Sequence, residues 1–465
     1  MENWTPVLGA GPLLAITAAA VALILVMVIV LRVHAFLALI IASALTAIAA
    51  GIPLSGVVPT MTQGFGSTLA SVALLVGLGA MVGRLVEVSG GAKSLAEALV
   101  NAFGEHRAPL ALGVASLIMG FPIFFDAGLI VMLPIIFAVA RRLNGPLLAY
   151  GIPAAGAFSA MHVFVPPHPG PVAAAEFFSA RMDLVLLFGL IVALPTWYVS
   201  GYLWGVFLGK KYPFTVSDAL IGREIDDADL PRTPAGPGAV VFILLLPMLL
   251  IFGNTGLNAL ATAGVIPEDA NWVEFFSFLG QTPIALLITV LVAMVLLGTR
   301  GGFSRDRIEK IVDSALGPVC AVILITGAGG MFGGVLRTSG IGDALADSMA
   351  GLGIPVILAC YLIALALRLA QGSATVALTT AAALMVPAVE AGGYSATQLA
   401  LVVLATAAGS VFGSHVNDSG FWLVGRLMGM DTATTLKTWT VNQVLVSVVG
   451  FAIILAMFGA ATALR

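Results

Sequence analysis

Charge is what this sequence has least of: 20 Lys and Arg and 23 Asp and Glu in 465 residues, or 9%, against 60% apolar residues and a mean hydropathy of +1.09. Soluble domains carry roughly a quarter charged residues, and a chain of this size folded in water would still have a large surface to cover with polar groups. The solvent for most of the chain is therefore lipid. A net charge of −3 offers no basic face to phosphates, which excludes a nucleic-acid partner. The two cysteines, Cys320 and Cys360, are too few for a disulfide framework or a metal cluster, and both lie in apolar stretches as expected packing residues. No GxxxxGK[ST] pattern occurs, which argues against pumping by ATP within this chain, and no motif calls for a cofactor or a metal.

What the sequence has in abundance is apolar runs. The first, residues 8–31, exceeds the roughly 20 residues that cross a bilayer. It follows Met-Glu-Asn-Trp-Thr, without the positive region of a cleaved signal, so it is expected to be a span. Further spans are expected near 36–53, 70–88, 184–208, 239–253, 282–298, 319–337 and 438–463. Two longer runs, 108–140 and 354–390, are broken near their middles by GFPIFFDAG (120–128) and LRLAQGSATV (367–376), and read as re-entrant hairpins. Segments 146–175 and 396–425 read as crossings interrupted at HVFVPPHPGP (162–171) and GSHVNDSGFW (413–422). Lys and Arg are retained on the cytoplasmic side. Placing both termini on the periplasmic side puts Arg84, Arg107, Arg141, Arg142, Lys210, Lys211, Arg300, Arg305, Arg307 and Lys310 inside and leaves Arg368 alone at membrane depth. The two hairpins then open to opposite sides.

The chain also repeats itself. At a shift of 250 residues GLGAMVGRLVEVSG (77–90) lies over GAGGMFGGVLRTSG (327–340), and at 253 the pair His162-Val163 lies over His415-Val416. An odd number of crossings per half inverts the second half. The expected fold is an all-α polytopic membrane protein of two inverted-topology repeats, 1–208 and 239–465, joined by a cytoplasmic linker at 209–238, with about ten spanning helices plus two re-entrant hairpins. Inverted repeats with broken helices mark secondary transporters that bind substrate near the midplane. Irregular backbone is tolerated at that depth only against protein or a cavity, so the four interruptions should converge on one site whose amides and helix N-termini suit an anion.

Ionisable groups are expensive in a membrane, which makes each one a functional candidate. Asp126, between phenylalanines at the first hairpin tip, is a candidate proton carrier, since burial disfavours the charged form of a carboxyl; a helix N-cap is the structural alternative. Asp418 shares one unwound turn with His415, Asn417 and Ser419, which together can exchange protons and bind hydroxyls. His415 and its repeat mate His162 are either proton-transfer groups or neutral hydrogen-bond partners. His168, enclosed by prolines, is either site-lining or scaffold. Arg368 can hold a carboxylate through its guanidinium fork, with Ser373, Thr375 and the amides around Gly372 as further ligands. A passive anion channel and an intramembrane enzyme are the rivals from other classes. The first would need a continuous pore, and the second lacks a nucleophile or metal triad.

GFPIFFDAG, HVFVPPHPGPVAAA, QGSATVALTTAAALMVP and GSHVNDSGFWLV, taken in order, resemble the gluconate permease (GntP) family of proton symporters, within a broader ion transporter superfamily. The resemblance runs over essentially the whole chain. It implies import of gluconate or a related sugar acid or small hydroxy acid with protons across a bacterial inner membrane. Other acids of the family's range, such as idonate, fructuronate, glycerate or D-serine, remain open. It also implies a homodimeric elevator, with scaffold helices at 8–53 and 239–298 and a transport core at 70–208 and 319–463. By position it implies a site at Asp126, Gly128, His162, Gly372, Ser373, Thr375, His415, Asn417 and Asp418. Sodium-using superfamily members show a Ser-Asn-Thr type motif at both hairpin tips. Here the tips read Phe-Asp-Ala-Gly and Gly-Ser-Ala-Thr, which favours protons.

Overall fold

A backbone in hydrocarbon has no water to satisfy its N–H and C=O groups, so a chain this apolar must satisfy them within its own elements. The computed structural model answers with helices; among the described residues no strand occurs. Residues 8–213, 234–262, 265–267, 270–341, 344, 355–415 and 418–463 are described. Most of the expected linker, and Asn417, lie outside them.

The first half comprises α1 (Ala10–Leu25), α2 (Ala35–Ala49), α3 (Leu54–Val88), α4 (Gly91–Phe103), α5 (Ala108–Met119), α6 (Phe125–Arg142), α7 (Leu147–Phe164), α8 (Pro169–Phe177), α9 (Met182–Trp197) and α10 (Trp204–Lys211). The second comprises α11 (Pro237–Thr262), α12 (Asn271–Leu279), α13 (Thr282–Ala293), α14 (Arg305–Ser314), α15 (Leu316–Thr338), α16 (Val356–Gln371), α17 (Ala374–Ala391), α18 (Ala396–Ser410), α19 (Ser419–Leu427), α20 (Thr432–Thr435) and α21 (Val441–Ala463). Among the described residues, 8 helices are long and apolar enough to cross a membrane.

Helix breaks fall at all four of the motifs singled out above: between α5 and α6, α7 and α8, α16 and α17, and α18 and α19. Their causes are local. Pro122 follows the end of α5, Pro166 and Pro167 follow α7 with a cis bond between them, and Gly372 ends α16 at φ 79. A proline has no N–H to continue the ladder, and only glycine takes that left-handed conformation without strain.

Polar-looking or short segments are where the elements exceed expectation. The helix expected at 70–88 begins at Leu54, because Thr60, Thr62 and Ser67 return their hydroxyls to carbonyls one turn earlier and Pro59 sits near its start. α4, α12 and α14 were not anticipated; α14 is a polar helix capped by Ser304, whose Oγ accepts from Arg307 N at 3.2 Å. Cys360 is buried as expected, but Cys320 is exposed on α15.

α7 is buried along its length except at His162, and α17 and α18 are nearly as enclosed. A helix apolar all round suits such a core position. α2, α9 and α11 instead expose large apolar side chains such as Leu45, Ile191 and Leu249, the sides suited to lipid. α5 packs on α7, α16 on α18, and α3 on α15. The α3–α15 crossing is close enough that a Cβ on Gly64 would stand 2.4 Å from the Gly330 carbonyl oxygen, and one on Gly330 would stand 2.3 Å from Thr68 Oγ1. Further along, α3 carries Gly83 against Pro122, so the same helix also seats the first hairpin tip. Replacing Gly64 by Val should therefore cost about 1–3 kcal/mol through overpacking. In thermal melts of detergent-purified protein Gly64→Val should unfold at lower temperature, while Gly66→Ala, where a Cβ meets nothing within 4 Å, should melt like the parent.

Candidate functional site

The breaks meet around one cavity of about 540 Å³. Its wall includes Pro122 to Ala127 from the first tip, Pro169 at the start of α8, Ser373 to Thr375 from the second tip, and Asp418 to Gly420 at the start of α19. Each of these segments is the N-terminal end of a helix, so the partial positive charges of α6, α8, α17 and α19 face the same space. Exposed helix N–H groups and aligned dipoles together favour a negative guest.

Two acids already answer part of that field. Asp418 is the N-cap of α19, its Oδ1 accepting from Gly420 N at 3.0 Å. Its Oδ2 accepts from Arg368 Nη2 and from Ser414 Oγ. Ser414 is itself held by Trp439 Nε1 at 3.0 Å. Arg368 is 4% exposed and donates through Nη1 to the Gly372 carbonyl, which ties it to the second tip. Its Nε is buried with no hydrogen-bond partner among the described residues. A buried donor left unpaired costs about 1–3 kcal/mol, a cost this packing carries while Nη1 and Nη2 are both paired. Asp126, in the first turn of α6, is open to the cavity.

A second cluster lies on the α7 side. His162 Nδ1 is 3.2 Å from His168 Nδ1, His168 Nε2 is 2.7 Å from the Gly120 carbonyl oxygen, and Thr375 Oγ1 is 3.4 Å from His162 Nε2. Phe124 stands against both rings, its centroid 6.0 Å from that of His162 and 5.8 Å from that of His168. His162 faces the cavity and His168 is buried behind it.

Asp126, His162, Arg368, Ser373, Thr375, Asp418 and Ser419 thus line one space. The other described candidates stand elsewhere. His415 directs Nε2 to the Leu369 carbonyl at 3.1 Å. Gly128 lies under Phe158, whose Cε1 would be 2.3 Å from a Cβ there. Gly372 contributes its carbonyl to Arg368 and does not line the cavity wall.

Sequence reasoning overlooked Ser159, Gln443, Trp439, Arg84 and Glu87, which also line the cavity. Ser159 Oγ donates to Gln443 Oε1 at 2.8 Å, Gln443 Nε2 donates to Asn442 Oδ1 at 2.8 Å, and Asn442 Nδ2 donates to the Ser200 carbonyl at 2.5 Å. Two signals were available: Ser159 is three residues from His162 and so shares its helix face, and Asn442-Gln443 interrupts an otherwise apolar span. Phe125 and Trp439 stack at 5.4 Å and supply an apolar wall. Arg84 and Glu87 pair at 2.6 Å on α3, partly exposed, and Arg84 Nε also donates to Ser314 Oγ at 3.2 Å.

Removing one member of a buried ion pair strands the other and costs about 3–5 kcal/mol. Asp418→Asn keeps the shape and one acceptor but leaves the Arg368 charge uncompensated. It should lower the melting temperature clearly, whereas Arg368→Met combined with Asp418→Leu should recover part of the loss in the same detergent melt.

A sequence model of the GntP family permeases matches residues 12–459. A gluconate permease of Pseudomonas aeruginosa is 37% identical over 93% of this chain and 95% of its own. A gluconate permease of Bacillus subtilis is 38% identical over 96% and 99%, and the Gnt-II system L-idonate transporter of Escherichia coli is 34% identical over 96% and 98%. Among solved structures, the Alcanivorax borkumensis YdaH transporter superposes with a TM-score of 0.63 at 16% identity, covering 88% of this chain and 90% of that one. Neisseria gonorrhoeae MtrF gives 0.57 at 14% identity, covering 90% and 93%; both likenesses concern the fold. With helices suited to a bilayer, a family match over nearly its whole length and relatives that are permeases, this chain belongs to the GntP permease family and is a multi-pass integral membrane transporter, not an enzyme.

Proposed function

We propose that this chain imports gluconate or a related sugar acid by proton symport with alternating access. The observation that carries the reading is the cavity faced by four helix N-termini, with the buried Arg368–Asp418 pair in its wall. The helix ends and tip amides offer donors to a carboxylate, and the Arg368 guanidinium in the same wall adds positive charge. Ser373, Thr375, Ser159, Ser419 and Gln443 are placed for the hydroxyls of a polyol chain, and Phe125 with Trp439 for its C–H face. The relatives that carry gluconate and L-idonate in their names support a six-carbon sugar acid as the guest.

Moving an anion into a negatively charged interior requires positive charge to travel with it. Asp126, Asp418 and His162 are titratable groups in contact with the cavity and are the proposed carriers, with His415 as a further candidate and Asn417 as a proposed substrate ligand. The two-repeat, elevator reading draws support from the packing of α5 on α7 and α16 on α18, and from Ser89-Gly90 and Ser339-Gly340 ending α3 and α15 with glycines at φ 72 and φ 75. The cavity is rimmed by Arg84, Glu87 and Ser314, next to α14 with its Arg305, Arg307 and Lys310, so by the positive-inside rule, which counts Lys and Arg, it faces the cytoplasm. Scaffold helices at 8–53 and 239–298 and a homodimer complete the proposal. The protein would then sit in the bacterial inner membrane with both termini periplasmic.

Sodium-free proteoliposomes with an imposed inward pH gradient should accumulate labelled gluconate, and a protonophore should abolish the accumulation. Uptake of L-idonate or glycerate in place of gluconate would move the substrate within the family's range. Ion-like conductance without accumulation would sink the symport. Arg368→Lys, which keeps the charge but loses the fork, should reduce uptake about tenfold or more, the worth of one charge-assisted hydrogen bond.

A further inference from the structure

The Gly120 carbonyl can only accept, so the His168 Nε2 that lies 2.7 Å from it carries a proton. Among the described residues the side-chain partners of His168 are this carbonyl and His162, with no carboxylate. With His168 neutral its Nδ1 is bare, and the proton in the 3.2 Å contact belongs to His162 Nδ1. A neutral His162 then has a bare Nε2 toward the cavity, and the Thr375 hydroxyl 3.4 Å away donates to it. One backbone carbonyl thus sets the direction of every hydrogen bond in the chain. In this state Thr375 shows the cavity lone pairs alone, which repel a carboxylate and accept from a hydroxyl.

We propose that His162 and His168 form a proton-read switch on Thr375, so that the site gains a donor and a positive charge for the substrate's carboxylate only when a proton is aboard. The proton comes from cavity water and adds to the lone pair of His162 Nε2. The new Nε2–H donates to Thr375 Oγ1, and the Thr375 hydrogen turns to the cavity. His162 Nδ1–H stays on His168, and His168 keeps its own proton on Gly120, so no other bond changes. Each group remains satisfied in both states, which lets the change happen inside a packed core. Bound proton and bound anion then favour each other by the same factor.

The charged and titratable groups around His162 are His168 on its own connection, Asp126 of α6, Arg368 of α16 with its partner Asp418, and the Arg84–Glu87 pair of α3 across the cavity. Arg368 and Asp418 neutralise each other, so the proton on His162 is an added charge that an arriving anion meets. His168 does not line the cavity and is a positioning residue: it selects which nitrogen of His162 is bare.

This inference rests on the symport reading and specifies how its site couples the two solutes. Nitrogen-15 histidine labelling and solid-state NMR in sodium-free liposomes distinguish bare from protonated ring nitrogens, with His162→Gln and His168→Gln assigning the signals. At neutral pH without gluconate, His168 should carry its proton on Nε2 and His162 on Nδ1. Saturating gluconate should convert His162 to the doubly protonated ring and leave His168 unchanged. Thr375→Ser should retain that conversion and Thr375→Val should lose it. In His168→Phe the free protein should show both neutral tautomers of His162, a change that a purely structural role for His168 does not produce. A His162 that is protonated on Nε2 before substrate, or that stays neutral with gluconate bound, overturns the switch. Proton-driven accumulation with a neutral His162 overturns the switch and leaves the symport standing, whereas failure of gluconate to bind overturns both.

Discussion

A helix broken inside a bilayer exposes donors and acceptors that lipid cannot satisfy, and everything distinctive in this molecule follows from where those loose ends are put. Four breaks, each made by proline or glycine or by a polar turn, are gathered around one cavity instead of being spread over the lipid-facing surface. Gathering them satisfies the backbone with neighbouring protein and with whatever fills the cavity. It also aligns four positive helix ends, so the site's preference for anions is a property of the backbone before any side chain is considered.

The side chains then adjust that field. Asp418 neutralises Arg368 and caps α19, which takes up one helix end and pins the second tip to the broken helix through the Gly372 carbonyl. The arrangement leaves Arg368 Nε buried without a hydrogen-bond partner among the described residues. Next to the second tip the histidine pair and Thr375 hold a hydrogen-bond chain whose direction is set by Gly120. Gly120 itself ends α5, so the first hairpin's backbone reaches into the chemistry of α7. The site is thus built by contacts between breaks, and each break supplies a partner that another one lacks.

Such a site requires rigid seating for its parts. The α3–α15 crossing brings backbone to backbone through Gly64 and Gly330, and further along α3 Gly83 receives the carbonyl of Pro122. Small residues are how membrane helices approach closely when lipid is as apolar as their own side chains. The glycine-rich motif that drew attention as a repeat is therefore also a packing surface beneath the first tip.

How much of this was legible beforehand differs from one element to the next. Apolar runs broken by PPHPGP or by Gly372 announced helices and their interruptions, because proline and glycine act within a turn of where they sit. α3 was underestimated and α14 overlooked, since hydroxyls that fold back onto a helix and a solvated amphipathic face read as loop in a hydropathy scan. Asp126, Arg368, Thr375 and Asp418 were nameable because an ionisable or hydroxyl group in hydrocarbon is costly wherever it lies. Their partners were not nameable. Asp418 meets Arg368 across 50 positions, Thr375 approaches His162 across 213, and Ser159 reaches Gln443 across 284. Sequence by itself determined the solvent, the helices, their breaks and the residues with chemistry to offer, because those depend on composition and on neighbours within a few residues. Which groups pair, which nitrogen is left without a partner and which space they share were decided by tertiary structure alone, because hydrogen bonds and ion pairs act over a few ångströms between segments far apart in the chain.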